Sequence, residues 1–141
     1  MKYEVYTGLI ASKDYSIFDF TSTGKSGSIN KRIEFTPTEM TGVYNLSFGD
    51  VNEDGEIDDY VVSNNGDRNK ILATVVDVIK SYTQKFPAHW VFFSGSTQER
   101  NRLYRMAVGL NIEELSVLFN IYGIDDGTII PFEKNKEVSA F

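Results

Sequence analysis

The sequence predicts a mixed α+β protein, with an N-terminal antiparallel β-sheet followed by two main helices and additional strands. Three observations carry this. From Tyr3 to Ser63, β-branched and aromatic residues alternate with polar ones in short runs separated by Gly, Ser, Asn and Pro, the period-2 signature of half-buried strands. After Asn65 the apolar residues recur at helical spacing. Strand-like runs then return in "HWVFFS" and "TIIPF". At 141 residues the chain can bury one sizeable core and is short for two ordinary domains, so a single domain over 1–141 is expected.

The first strands are read in "YSIFDF", "KRIEF" and "VYNLSF", with "GKSGSIN" (Gly24 to Asn30) and "TPTEMTG" around Pro37 as hairpin connections. A helix is expected from about Asp67 to Lys85. Ile71, Leu72, Val75, Val76, Ile79 and Tyr82 would form its buried face, Asn65 or Asp67 its cap, and Pro87 its stop. "HWVFFS" reads as a short buried strand. "STQERNRLYRMAVGLN" then reads as a second helix, capped by Ser96 or Thr97 and burying Leu103, Met106, Ala107 and Leu110. A helical turn near "IEEL" and a hairpin from "VLFNIYG" to "TIIPF", turning at "DDG", complete the chain. No internal repeat or linker is evident.

The formal net charge of −6 opposes nonspecific attraction to nucleic acid or anionic membranes, so any such contact needs a local basic patch. The absence of cysteine excludes disulfides, thiolate zinc sites and cysteine nucleophiles. The opening "MKYEVYTGLI" is broken by Gly8, and no window approaches the roughly 18 apolar residues of a membrane span. A cytoplasmic location without membrane contact is therefore the expectation.

Two segments are candidates for chemistry. In "FGDVNEDGEIDDYVVSNNGDRNK", Phe48 to Lys70, the residues Asp50, Asn52, Asp54 and Asp58 offer hard oxygen ligands at alternate positions around Gly55, as Ca2+ requires. Val61 stands where an EF-hand needs its bidentate Glu, and the flanks read as strands. The loop instead resembles, over about a dozen residues, the calcium-binding hairpins of FG-GAP and related β-propeller repeats; a propeller needs repeated blades. The competing reading is a hairpin turn made by Asn52, Asp54 and Gly55, with solvated acids.

The second segment is "FFSGSTQERNRLYR", Phe92 to Arg105. A strand runs through Gly95, Ser96 and Thr97 into a helix, where backbone N–H groups meet the positive end of the helix dipole. This is neither a Walker A motif nor a dinucleotide fingerprint. Arg102 and Arg105 lie about 60° apart, on the side away from the apolar stripe. Arg100 falls in the first turn, where a cation needs a negative partner: a carboxylate such as Asp50, Asp58, Asp59 or Asp67, or a ligand's phosphate or carboxylate. The lone His89 is read as structural, and Tyr104 as core or as a stacking platform for a base.

With "LSFGD", "DDYVVSNNGDRNKILATV" and "GSTQERNRLYRM" in that order, the chain resembles an uncharacterised family of small bacterial proteins, classed as a domain of unknown function. The resemblance spans nearly the whole chain. It draws attention to Asp50, Asp59, Asn65, Gly66, Asp67, Lys70, Gly95, Ser96, Thr97, Arg100 and Arg102, with Asn101 standing where Thr or another small polar residue is expected. It implies no particular reaction. The leading functional expectation is a noncatalytic protein that binds a phosphate-bearing ligand, a nucleotide or nucleic acid, through Lys70, Gly95, Ser96, Thr97, Arg100 and Arg102. The alternatives are a metal-dependent phosphoesterase or nuclease, with Asp50, Asp59 and Asp67 on Mg2+, and a protein-interaction module whose charged residues serve only the fold. Whether Ca2+ or Mg2+ is bound at all stays open.

Overall fold

The computed structural model describes residues 3–58, 65–95 and 97–141; Asp59 and Ser96 lie outside them. It is an α+β structure with the antiparallel N-terminal sheet first and helices and further strands after it. The elements in order are β1 (Ile10–Ala11), β2 (Ile17–Gly24), β3 (Gly27–Pro37), β4 (Val43–Val51), β5 (Ile57–Asp58), α1 (Arg68–Lys85), β6 (Trp90–Phe92), α2 (Gln98–Leu110), α3 (Ile112–Leu118), β7 (Tyr122–Asp125) and β8 (Thr128–Pro131). Two compact units divide them, residues 2–91 and residues 92–141.

In the first unit the strands follow sequence order, β1-β2-β3-β4-β5, with β6 also pairing β4. The alternation read in the sequence sets one face toward α1. Phe18, Phe20, Ile33, Phe35 and Leu46 are buried there with Ala73, Val78 and Tyr82, and the Tyr82 ring stacks on Phe35 at 3.8 Å between centroids. The opposite face is polar: Arg32 forks onto Asp19 (2.7 and 3.1 Å).

Helix α1 spans nearly the expected residues, but its buried face is rotated from the expected stripe. The buried positions are Ala73, Thr74, Val78 and Tyr82, whereas Ile71, Leu72, Val75, Val76 and Ile79 are only partly covered. The cause lies in the N-terminal segment, whose Tyr6 N–H donates to Thr74 Oγ1 (2.8 Å) and holds a polar side chain inward. Asp67 occupies the N-cap position without making a cap hydrogen bond.

His89 is structural in this unit. Its ring lies between Tyr44 (4.1 Å) and Phe86 (4.7 Å), nearly parallel to both, and its Nδ1 is 2.8 Å from the Tyr82 hydroxyl. Burial, and then the nearby Tyr44, push the Tyr82 hydroxyl up to about 12.

In the second unit β7 and β8 form a hairpin whose turn residues Asp126 and Gly127 both have positive φ (50° and 78°), the type I′ geometry that Asp-Gly favours. The expected hairpin began too early, because Val117 and Leu118 belong to α3. Residues near position 140 complete the layer. Phe93 and Phe141 exchange backbone hydrogen bonds (both 2.9 Å), and Ile124 N–H donates to Ala140 (3.0 Å).

The α2 stripe expected to be buried faces outward. Leu103, Met106 and Leu110 are 48%, 50% and 73% exposed. The helix instead turns inward the face carrying Asn101 and Tyr104: Asn101 is hydrogen-bonded to the unit's own backbone, and Tyr104 meets the Phe93 ring edge-on at 5.8 Å.

Candidate functional site

The segment before α2 is built around Asn101. Its Oδ1 accepts the Gly95 N–H (3.2 Å) and its Nδ2 donates to the Val138 carbonyl (2.8 Å). A side chain one turn into the helix thus ties down the strand that enters it. Gly95 has no room for a Cβ, which would stand 2.3 Å from the Asn101 backbone nitrogen. That glycine is required by the approach of the chain to its own helix. Thr97 is the N-cap, in extended conformation, and its hydroxyl accepts the Arg100 N–H (3.1 Å).

Gly95, Thr97, Arg100 and Arg102 are therefore brought together within the entry and first turns of α2. Thr97 and Arg102 are exposed, and Arg100 is partly covered. Among the described residues Arg102 forms no ion pair. Lys70 belongs to the other unit, where its ammonium lies 4.4 Å from the centre of the Tyr6 ring.

Asn65 and Asp67 join a buried network. Asn65 Oδ1 accepts the Ser26 N–H (2.6 Å), while its Nδ2 donates to the Gly27 carbonyl (2.9 Å) and to Ser22 Oγ (3.1 Å). Ser22 donates in turn to Asp67 (2.6 Å), which also accepts from the Tyr6 hydroxyl. The Asn65 carbonyl passes so close to Gly24 that a Cβ there would lie 2.0 Å from it. The "GKSG" connection is thereby clamped, and Gly66 supplies the positive φ (76°) that the chain needs to leave the clamp. Asn65, Gly66 and Asp67 hold the scaffold together.

In the acidic loop, Asn52 Oδ1 accepts the N–H groups of Asp54 (3.0 Å) and Glu56 (2.9 Å), and the backbone closes between Asn52 and Glu56 (2.8 Å) with Gly55 at φ 77°. This is a side-chain-stabilised hairpin turn. Asp50 is paired with Lys31, and Asp58 is the register partner of Asp50 on β5. Among the described residues no three His, Cys, Asp or Glu side chains are grouped to hold a metal ion, so Asp50, Asp54 and Asp58 do not form such a group.

Lys31 escaped notice in the sequence. It is 5% exposed, its ammonium lies 5.9 Å from the Phe48 ring centre, and it shares a cross-strand row with Phe20 and Asp50. Parity was the available signal. Lys31 alternates in phase with Ile33 and Phe35, and Asp50 in phase with Leu46 and Phe48.

The fold and these sites define an α+β protein whose conspicuous polar residues are largely structural. The chain belongs to a family of unknown function, DUF6934, whose profile matches residues 2–141. Neither a curated protein nor a solved structure matches it. No helix among the described residues is long and apolar enough to cross a membrane.

Proposed function

We propose that the chain is a noncatalytic binding protein that takes a phosphate-bearing ligand, a nucleotide or a nucleic-acid strand, at the N-terminus of α2. The observation that carries the reading is the preformed entry to that helix. Asn101 holds the Gly95 N–H and Thr97 caps the first turn at Arg100, while the exposed Arg102 stands one turn further on. A fixed helix N-terminus with an adjacent guanidinium suits an oxyanion, and preorganisation lowers the cost of binding. The noncatalytic part rests on what the acids already do. Asp50 is ion-paired to Lys31 and Asp67 accepts from Ser22 and Tyr6, so two of the three carboxylates a Mg2+-dependent phosphoesterase would use are engaged in the scaffold. Equilibrium titration with ADP and a short oligonucleotide, beside a Mg2+-dependent hydrolysis assay on p-nitrophenyl phosphate, tests both parts. Binding without turnover is the expected result; turnover that needs Mg2+ would favour the enzyme.

A second reading, an interaction module without a ligand site, is favoured by one observation. Leu103, Met106 and Leu110 present a continuous exposed stripe on α2. Its expected signature is self-association in sedimentation runs, abolished by Leu110→Asp.

A further inference from the structure

A concave feature lies in the sheet-bearing unit, lined by none of the residues of the α2 entry. It is a cleft of about 300 Å3 between the N-terminal segment, the Ser12–Ser16 turn and α1, at the lower end of the range for small-molecule sites, ~300–1,000 Å3. Val5, Leu9, Phe18 and Val78 supply apolar wall, and Asp77 and Ser81, one helical turn apart, supply a polar side. Asp77 is the one charged residue lining the cleft among the described residues. It is exposed and forms no ion pair among the described residues.

Tyr15, at the edge of this cleft, is held in a backbone conformation that a tyrosine rarely adopts, φ 64°. The surrounding turn over-determines it. Tyr15 N–H donates to the Ser12 carbonyl (3.0 Å). Ser12 Oγ accepts the N–H groups of Ser16 (3.2 Å) and Ile17 (2.9 Å), and Asp14 accepts the hydroxyls of Ser12 (2.8 Å) and Ser16 (2.7 Å). Those hydroxyls, Ser16 first, hold the Asp14 carboxyl below its usual range. The ring meets Phe18 edge-on at 4.7 Å, and the Lys85 ammonium already lies 4.9 Å from its centre. Strain of this kind, costing on the order of 1–3 kcal/mol, persists only because the surrounding hydrogen bonds over-determine it.

We infer that this cleft binds a small organic molecule carrying one protonated amine on an apolar body, with the ammonium at Asp77 and Ser81 and the body against Val5, Leu9 and Tyr15. The negative charge at Asp77 makes that end of the cleft favour a cation, while the Lys85 ammonium stands at Tyr15. A lone carboxylate with a hydroxyl suits an ammonium, where a metal ion would take several oxygen ligands. The apolar side chains beside them, Val5, Leu9 and Tyr15, suit an organic body.

The test is a charge series on the folded chain, read by calorimetry and amide chemical shifts: phenethylamine, 2-phenylethanol and phenylacetate. Phenethylamine should bind at least tenfold more tightly than the alcohol, phenylacetate should not bind, and the shifts should centre on Tyr15, Asp77 and Ser81. Asp77→Asn should remove the preference for the amine, and Ser81→Ala should weaken it. Equal binding of all three probes, no binding of phenethylamine up to millimolar concentration, or an undiminished preference in Asp77→Asn would overturn the inference. The tripeptide Phe-Gly-Gly, set against its N-acetyl form, separates the sources. Affinity equal to that of phenethylamine assigns a chain-terminal amine, and much weaker binding assigns a free small molecule; both outcomes support recognition of an ammonium.

Discussion

Lys31 and Asp50 face each other across β3 and β4, on the side of the sheet that α1 covers, and pair there in a row that begins with Phe20. Removing Lys31 strands the Asp50 carboxylate in a largely buried setting. Lys31→Met alone should cost about 3–5 kcal/mol, whereas the double change Lys31→Met with Asp50→Leu should recover much of that loss. Urea midpoints of the two variants check it. A single variant within experimental error of wild type would show the pair to be dispensable.

Asn101 bridges two backbone groups that have no other hydrogen-bond partner among the described residues. Asn101→Ala should destabilise the protein by about 2–4 kcal/mol, at ~1–3 kcal/mol for each partly buried group left unsatisfied less relaxation. Asn101→Asp keeps one acceptor and should fall between. Hydrogen exchange at Gly95 gives a local readout and should accelerate in both.

The two glycines flanking the helices differ in why they are glycine. At Gly66 a Cβ meets nothing and only the positive φ resists substitution; at Gly95 a Cβ would drive into the backbone of Arg100 and Asn101. Gly66→Ala should therefore cost about 1 kcal/mol, within the range for a non-glycine residue in the left-handed region. Gly95→Ala should cost more and disturb the amide spectrum of α2. Comparable costs in thermal denaturation would contradict this assignment.

Tyr82 supplies the pH dependence. Its hydroxyl titrates at about 12 in the fold and near 10 in the unfolded chain. The unfolded state therefore loses its proton first as pH rises. The associated stability is fully present below pH ~10 and is lost as pH climbs toward about 12, an effect on the order of 2 kcal/mol. Tyr82→Phe should be less sensitive than wild type over that window, measured by urea unfolding at stepped pH; parallel losses would remove the tyrosine from the account.

Much of the fold was legible because its causes are local. The alternation in "YSIFDF" and "KRIEF", the Thr97 cap and the "DDG" turn all emerge where the sequence puts them. The side chains facing inward were less legible, because long-range hydrogen bonds choose among nearly equivalent helix faces. Thr74 faces inward to receive Tyr6, and Asn101 faces inward to reach Gly95 and Val138. That second choice turns Leu103, Met106 and Leu110 outward. The residues that suggested a site, Asn65, Asp67, Gly95 and Thr97, have structural partners dozens of positions away or across a single turn. Function and scaffold use the same chemistry in such motifs, and sequence order alone does not separate them.

A phosphate and ADP titration of the full chain, followed amide by amide, separates a ligand site at the α2 entry from scaffold. Saturable shifts confined to Thr97 through Arg105 are expected, lost in Arg102→Ala and partly retained in Arg102→Lys, with the fold unchanged in both. No saturable shift, or shifts that persist undiminished in Arg102→Ala, would contradict the ligand site and leave the α2 entry as scaffold.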